Sequence, residues 1–310
     1  MSQNVYSSVL NPRRYPKKVV SISPDLKQIS YSMDRFKLTL VDMMEIPQAY
    51  EAEFLGDIAE KLDLSPLTRC IFTERLSQQN LDANWTDIVE SCQPRLTPDQ
   101  ARKDNWSRQI LPKLRELGFD HEANAKKLWQ AVRPWLVQTH YHPWLWDKLS
   151  QISQKTQQMG IKAAKSPDHL GMLPKRNDYL TTVPLGSQVI FELQLPDSAH
   201  LTLLEREPNG TVVCLCPSPF AQTSQFQPQQ ATTIRLPQAS APQPAFVLTE
   251  PGKEQLIALL TPKMPPFQWL EQSRFEAMAL QVSQLQEMFE YVRNQNSPQV
   301  RLLSTAYEVV

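Results

Sequence analysis

Glycine is scarce in this chain, with seven in 310 residues, and the seven form no Walker A loop, dinucleotide-binding fingerprint or nucleophile elbow. Those motifs use glycine where the backbone must approach a ligand or take positive φ, so main-chain cradles for phosphate are not expected. Net charge is also lacking: thirty-two Lys and Arg balance thirty-two Asp and Glu. No global field would draw the chain to DNA, RNA or an anionic membrane. The one local excess is Arg13, Arg14, Lys17 and Lys18, ahead of the first acidic residue, Asp25. It reads as a solvated leader, the alternative being an anion-binding arm. No stretch approaches the roughly 18 apolar residues of a membrane span, and the start has no apolar run of signal-peptide length. The expectation is a cytoplasmic protein with no membrane partner. Four cysteines, Cys70, Cys92, Cys214 and Cys216, fit a reducing compartment better than a disulfide framework.

What the chain does have is two different hydrophobic periods. Residues 1–45 read as a leader with short strands between 19 and 44. From 46 to 160 apolar residues recur every three or four positions. Phe54, Leu55, Ile58, Ala59 and Leu62 share one helix face, and Ser65-Pro66 opens a second helix, since serine caps free amides and proline loses no bond at the first position. A short helix follows Asp82. Thr97-Pro98-Asp99-Gln100 is a capping-box start to a helix that Pro112 should bend. Two more helices are expected, from Asp120 to Pro134 and from Tyr141 to Gly160. Six of the seven tryptophans lie between 85 and 146. They predict a large aromatic core, with a partner groove as the alternative.

Residues 161–184 read as a linker and 185–265 as an all-β module, because Val189, Phe191, Leu193 and Leu195 alternate with polar or outward residues. Pro208-Asn209-Gly210 signals a hairpin, with Thr211 to Cys216 returning. A Pro-rich loop spans 217–230, and shorter strands follow at 232–236, 245–248 and 255–260. Residues 266–296 predict one amphipathic helix, with Phe275, Met278, Val282, Leu285, Phe289 and Val292 along a seam. That seam either covers its own molecule or pairs with a partner, a second copy included. Residues 297–310 read as a tail. The fold class is α+β: an N-terminal α-helical bundle, a small sandwich-like β-module and a C-terminal amphipathic helix.

Few side chains are spaced for chemistry. His140 and His142 form the only close histidine pair, with Asp147 as a conceivable third ligand, but i, i+2 at a helix junction is not zinc spacing. Packing or capping is the expected role. Cys214 and Cys216, two apart on a strand, should face one side, as buried core thiols or as a metal or redox pair. Carboxylates at Glu51/Glu53 and Glu205/Glu207 are expected to be solvated. No catalytic residue, metal site or cofactor is assigned.

Two stretches resemble known families. Val183-Pro-Leu-Gly-Ser-Gln-Val-Ile-Phe-Glu-Leu, then Leu201 to Pro217 with its Asn-Gly hairpin, then Pro251-Gly-Lys-Glu-Gln-Leu-Ile-Ala-Leu, resemble a bacterial β-module, domain-of-unknown-function family forty-three eighty-four. The resemblance covers about 180–265, with Leu201–Leu204 where an aromatic is usual. It implies a module found beside peptidases, kinases and other signalling domains, with no known catalytic residues. Leu76, Asn84-Trp85-x-x-Ile88-Val89, Leu117-Gly-Phe and Ala125-x-x-Leu128 are similar to death-like effector-associated adaptor bundles. That similarity implies homotypic helix association and a bacterial, cyanobacterial-type source. The expected function is a non-enzymatic adaptor or scaffold with a protein partner and no cofactor. Two alternatives stand: a nucleic-acid-binding accessory protein using the helices at 67–92, and a metal-dependent enzyme at His140 and His142.

Overall fold

The fold comes from a computed structural model that describes residues 46–121, 127–164, 179–195, 197–227, 233–295 and 297–310. The basic cluster at 13–18 and the strands expected between 19 and 44 lie outside the described residues. The helical part begins with α1, Gln48–Lys61, and α2, Pro66–Leu76. Ser65 caps α2 by accepting from the Thr68 amide at 3.4 Å. Helix α3, Trp85–Glu90, is capped by Asn84, whose side chain accepts from the Thr86 and Asp87 amides. Helix α4 runs in three stretches: Pro98–Gln100, a π-helical Ala101–Ile110, and Leu111–Glu116.

Helix α5 likewise joins Trp129–Leu136, a π-helical Val137–Tyr141 and His142–Ile152. The expected break at Pro134 therefore does not occur. In both helices a proline, Pro112 or Pro143, lies two residues beyond the π stretch. Proline cannot donate to the carbonyl four residues back and its ring crowds that carbonyl, so a widened turn lets the helix pass. Helix α5 ends at Ile152 rather than near Gly160, because Ser153 is already extended.

Among the described residues eleven strands then build two sheets: β1 Gln154–Lys155, β2 Met159–Ala163, β3 Thr182–Val183, β4 Gln188–Gln194, β5 Ala199–Arg206, β6 Val212–Cys216, β7 Gln225–Phe226, β8 Thr233–Leu236, β9 Phe246–Val247, β10 Gly252–Thr261 and β11 Arg301–Val309. The larger sheet has the order β1-β11-β10-β5-β6, with β3 beside β11 and β7 beside β5. The smaller has β2-β4-β8, with β9 beside β4. As read from the sequence, Asn209-Gly210 turns β5 into β6, with Gly210 at φ +90°.

Three expectations at the module's borders change. The linker 161–184 contains the end of β2 and all of β3. The single helix expected over 266–296 is two, α6 Trp269–Ser273 and α7 Val282–Arg293. They are separated because residues 278–280 hydrogen-bond to the outer edge of β6: the Leu280 amide donates to the Val212 carbonyl at 2.7 Å. The tail at 297–310 is the site of β11, which is antiparallel to β10 from Gly252↔Val309 to Leu260↔Arg301.

The described residues from Ile46 to Val310 form one compact unit. Its larger sheet is covered on both faces. Leu201, Leu203, Leu256, Ala258, Leu260, Leu303 and Val309 face the smaller sheet, where Phe191, Leu193, Ile234 and Leu236 complete the sandwich core. Leu204, Val212, Ile257, Leu259 and Leu302 face the other way, into a core shared with all the long helices. The helical residues thus have no core separate from the sheet. Trp146 fastens the junction, its indole N–H donating to Gln255 of β10 at 3.1 Å.

This sharing makes a prediction. A chain ended before Arg301 lacks the strand that pairs with β10 along its length, so both cores should lose cooperativity together. Circular dichroism melts should show no sharp transition in either the helical or the β signal; a helical signal melting sharply as before would contradict it.

Candidate functional site

The two histidines sit where α5 leaves its π stretch. His140 packs edge-on against Trp135 at 5.0 Å between ring centroids, and His142 lies near the Leu280 carbonyl. Burial, then the charge of Lys61, lowers the pKa of His140; burial also lowers that of His142. Both are therefore held neutral. Asp147 turns instead to Arg206, at 3.2 Å. Among the described residues no group of three or more His, Cys, Asp or Glu is placed to hold a metal ion.

Cys214 and Cys216 do not face one side. Leu203 pairs with Cys216 while the next residue, Leu204, pairs with Cys214, so Leu215 is an extra residue in β6. This β-bulge shifts the alternation by one, placing Cys214 in the helix-side core and Cys216 in the sandwich core. Both thiols are free and buried, and burial pushes Cys214 up to about 12. Neither is a reactive thiolate.

Cys70 and Cys92 are joined by a disulfide, across 22 residues, that ties α2 to the end of α3. This departs from the reading that the four cysteines fit a reducing compartment better than a disulfide framework. Nothing in the spacing announced it, since α2 and the turn after α3 become neighbours only in the folded bundle. Beside it, Trp85, Trp106 and Trp129 form a box with centroids 5.5 to 6.3 Å apart. The box is filled from within. The guanidinium carbon of the fully buried Arg75 lies 4.7 Å from the Trp129 centroid and 5.5 Å from that of Trp85. Its N–H groups donate to the carbonyls of Ala83 at 2.8 Å, Leu81 at 2.7 Å and Asn80. Trp106 is core, Trp85 and Trp129 are half-buried against it, and their cation belongs to the chain itself.

The seam residues divide. Leu285 and Phe289 are buried against the molecule's own helices, Phe289 meeting Trp144 at 5.9 Å and Tyr50 at 5.3 Å. Met278, Val282 and Val292 are half-buried. Phe275 stands apart at 84% exposed, the most exposed large apolar residue described. Helix α3, one of the two elements offered for groove reading, has six residues and carries the acidic Asp87 and Glu90, which a phosphate backbone would repel.

Of the paired carboxylates, Glu51 is buried and Glu205 is half-buried, so neither is a fully solvated surface charge. Glu51 is buried against Arg133 at 2.6 Å and also accepts from the Gln78 amide and the Ser77 hydroxyl, which joins α1, α2 and α5. Glu205 meets Glu254 of β10 and Tyr307 of β11 inside the sandwich. The Tyr307 hydroxyl lies 3.0 Å from Glu205 Oε1 and closer still to Glu254 Oε2. Burial, then the charge of Glu254, raises the Glu205 carboxyl well above the usual range. Only the register of three distant strands assembles this cluster, so no local pattern pointed to it.

Residues 182–264 match the sequence profile of a domain of unknown function (DUF4384), about a quarter of the chain. No curated protein and no solved structure matches. The matched region spans β3 to β10, and β11 and β1 complete its sheet from outside it. Among the described residues no helix is long and apolar enough to cross a membrane.

Two outcomes are expected here. Reducing the Cys70–Cys92 bridge, or replacing it with serines, should cost about 3 kcal/mol in denaturant titrations, the loop-closure value for a ring of this size. Arg75→Met should cost roughly 2–4 kcal/mol, because three loop carbonyls lose their buried donor. The same titration checks it, and a loss under about 0.5 kcal/mol would show that the box does not need its cation.

Proposed function

We propose that this chain is a non-enzymatic adaptor or scaffold that binds a protein partner, in a bacterial signalling or conflict system. The observation that carries the reading is the placement of its reactive groups. His140 and His142 are held neutral by burial, Cys214 and Cys216 lie in two cores, and Glu205 and Glu254 are turned onto Tyr307 inside the sandwich. What the chain offers outward is shape and surface, including the exposed Phe275 between α6 and α7. The domain match adds a module known from sequence, built into the same sheet as strands beyond it. The likeness of the helical part to death-like adaptor bundles belongs to this reading and rests on the sequence motifs alone.

The full chain, mixed with the purified products of its neighbouring genes, should form a complex of defined mass by light scattering, and Phe275→Ser should weaken it. Failure to associate with any of them, or with itself, would remove the adaptor reading.

A cytoplasmic setting is part of the proposal, and the Cys70–Cys92 bridge pulls against it, since such bridges are rare in reducing compartments. Thiol titration of freshly isolated, denatured protein distinguishes the cases. Two reactive thiols mean that the bridge persists in the cell; four mean that it does not.

A further inference from the structure

Glu205, Glu254 and Tyr307 come from three adjacent strands, and alternation turns all three toward the sandwich core. Glu254 and Tyr307 are buried. The groups around them are acidic or neutral. On β5 and its hairpin these are Glu207 and Asn209, and ahead of β10 there is Glu250; Asn209 donates to Glu207 at 3.3 Å and to Glu250 at 3.1 Å. From the facing sheet, β4 contributes the apolar Val189 and Phe191 to the same core. Its charged Glu192 is on the alternate face with Lys162 and Arg235. Arg206, Lys253 and Glu308 occupy the alternate positions of β5, β10 and β11, so they lie on the opposite face of the sheet. Among the described residues no Lys, Arg or His pairs with Glu205 or Glu254 within 4.0 Å.

The hydrogen-bond count then requires a proton. Tyr307 has one phenolic hydrogen and contacts both carboxyl groups. If that hydrogen goes to Glu254, the contact with Glu205 needs a donor of its own, and a protonated Glu205 provides it. The result is a chain in which the Glu205 carboxyl donates to the phenol and the phenol donates to the Glu254 carboxylate. Two unprotonated carboxylates on one phenol would face each other with one hydrogen between them and no cation to balance the charge.

We propose that Glu205, Tyr307 and Glu254 form a proton-operated latch, holding β5, β10 and β11 together at the hairpin end of the sandwich while one proton is shared and releasing that end when the proton passes to solvent. The direction follows from linkage. Glu205 binds its proton more tightly in the folded chain than in the unfolded one, so its contribution to stability is fully present below the ordinary carboxyl pKa and is lost as pH rises through the raised folded value. Alkali opens the latch and mild acid closes it.

The test uses the full chain and Glu205→Gln, whose amide keeps a donor but carries no titrating proton, with Glu254→Gln as the second variant. Infrared difference spectra of the wild type near neutral pH should contain a protonated-carboxyl band that Glu205→Gln lacks. As pH is raised, wild-type Tm should fall, and amide exchange in Gly252–Leu256 and Thr305–Val309 should quicken about tenfold more than in the helices. In either Gln variant the fall should flatten. A wild type with no protonated-carboxyl band, or variants whose Tm falls in parallel with it, would overturn the latch. So would exchange that rises evenly over the whole chain.

Discussion

The larger sheet has no polar face. Along β10 from Leu256 to Thr261, and along β5 from Leu201 to Leu204, every residue is buried. A strand of that kind cannot leave one side in water, because each exposed Leu or Ile would forgo roughly 1.5–3 kcal/mol of burial. The sheet must be covered twice. The smaller sheet covers one face and the helices cover the other, and the remaining architecture follows from this requirement. Trp146 reaches Gln255 across the junction, Arg206 reaches Asp147, and α7 returns to pack on α1 and α5 through Phe289.

Polar groups caught between these layers are resolved in three ways. Arg133 and Glu51 pair and are further bonded to Leu76, Gln78 and Ser77, as a buried ion pair requires. Arg75 pairs with no carboxylate among the described residues and settles its charge on carbonyl oxygens and aromatic faces. Among the described residues neither a cation nor a main-chain donor meets Glu205 and Glu254 at the phenol contact, which leaves protonation as the means of removing charge.

Local order was largely readable. Ser65-Pro66, Asn84 and Thr97-Pro98 start helices because their side chains satisfy free amides, and Asn209-Gly210 turns a hairpin because glycine tolerates positive φ. The alternation of β4 was equally plain. Pairings between distant segments were not. The run Leu256-Ile-Ala-Leu-Leu had the continuous hydrophobicity of a strand buried on both faces, yet sequence does not say which helices come to lie on it. Strand β11 was overlooked although Ser297-Pro298 marks a break before it, because Leu302-Leu-Ser-Thr-Ala-Tyr-Glu-Val alternates only weakly and its partner β10 lies roughly forty residues back in the chain. The disulfide and the carboxyl pair depend on folded neighbours 22 and 49 positions apart in the chain.

The extra residue at Leu215 gives β6 two allegiances. Upstream of it, odd and even positions answer to one set of neighbours; downstream, the same parity answers to the opposite set. One strand thereby stitches both hydrophobic compartments, and its reading frame is locked. Removing the extra residue itself would restore plain alternation, with Cys214 opposite Leu204 and Cys216 opposite Leu203, whereas losing a residue between Val212 and Cys214 would turn what precedes it to the wrong side.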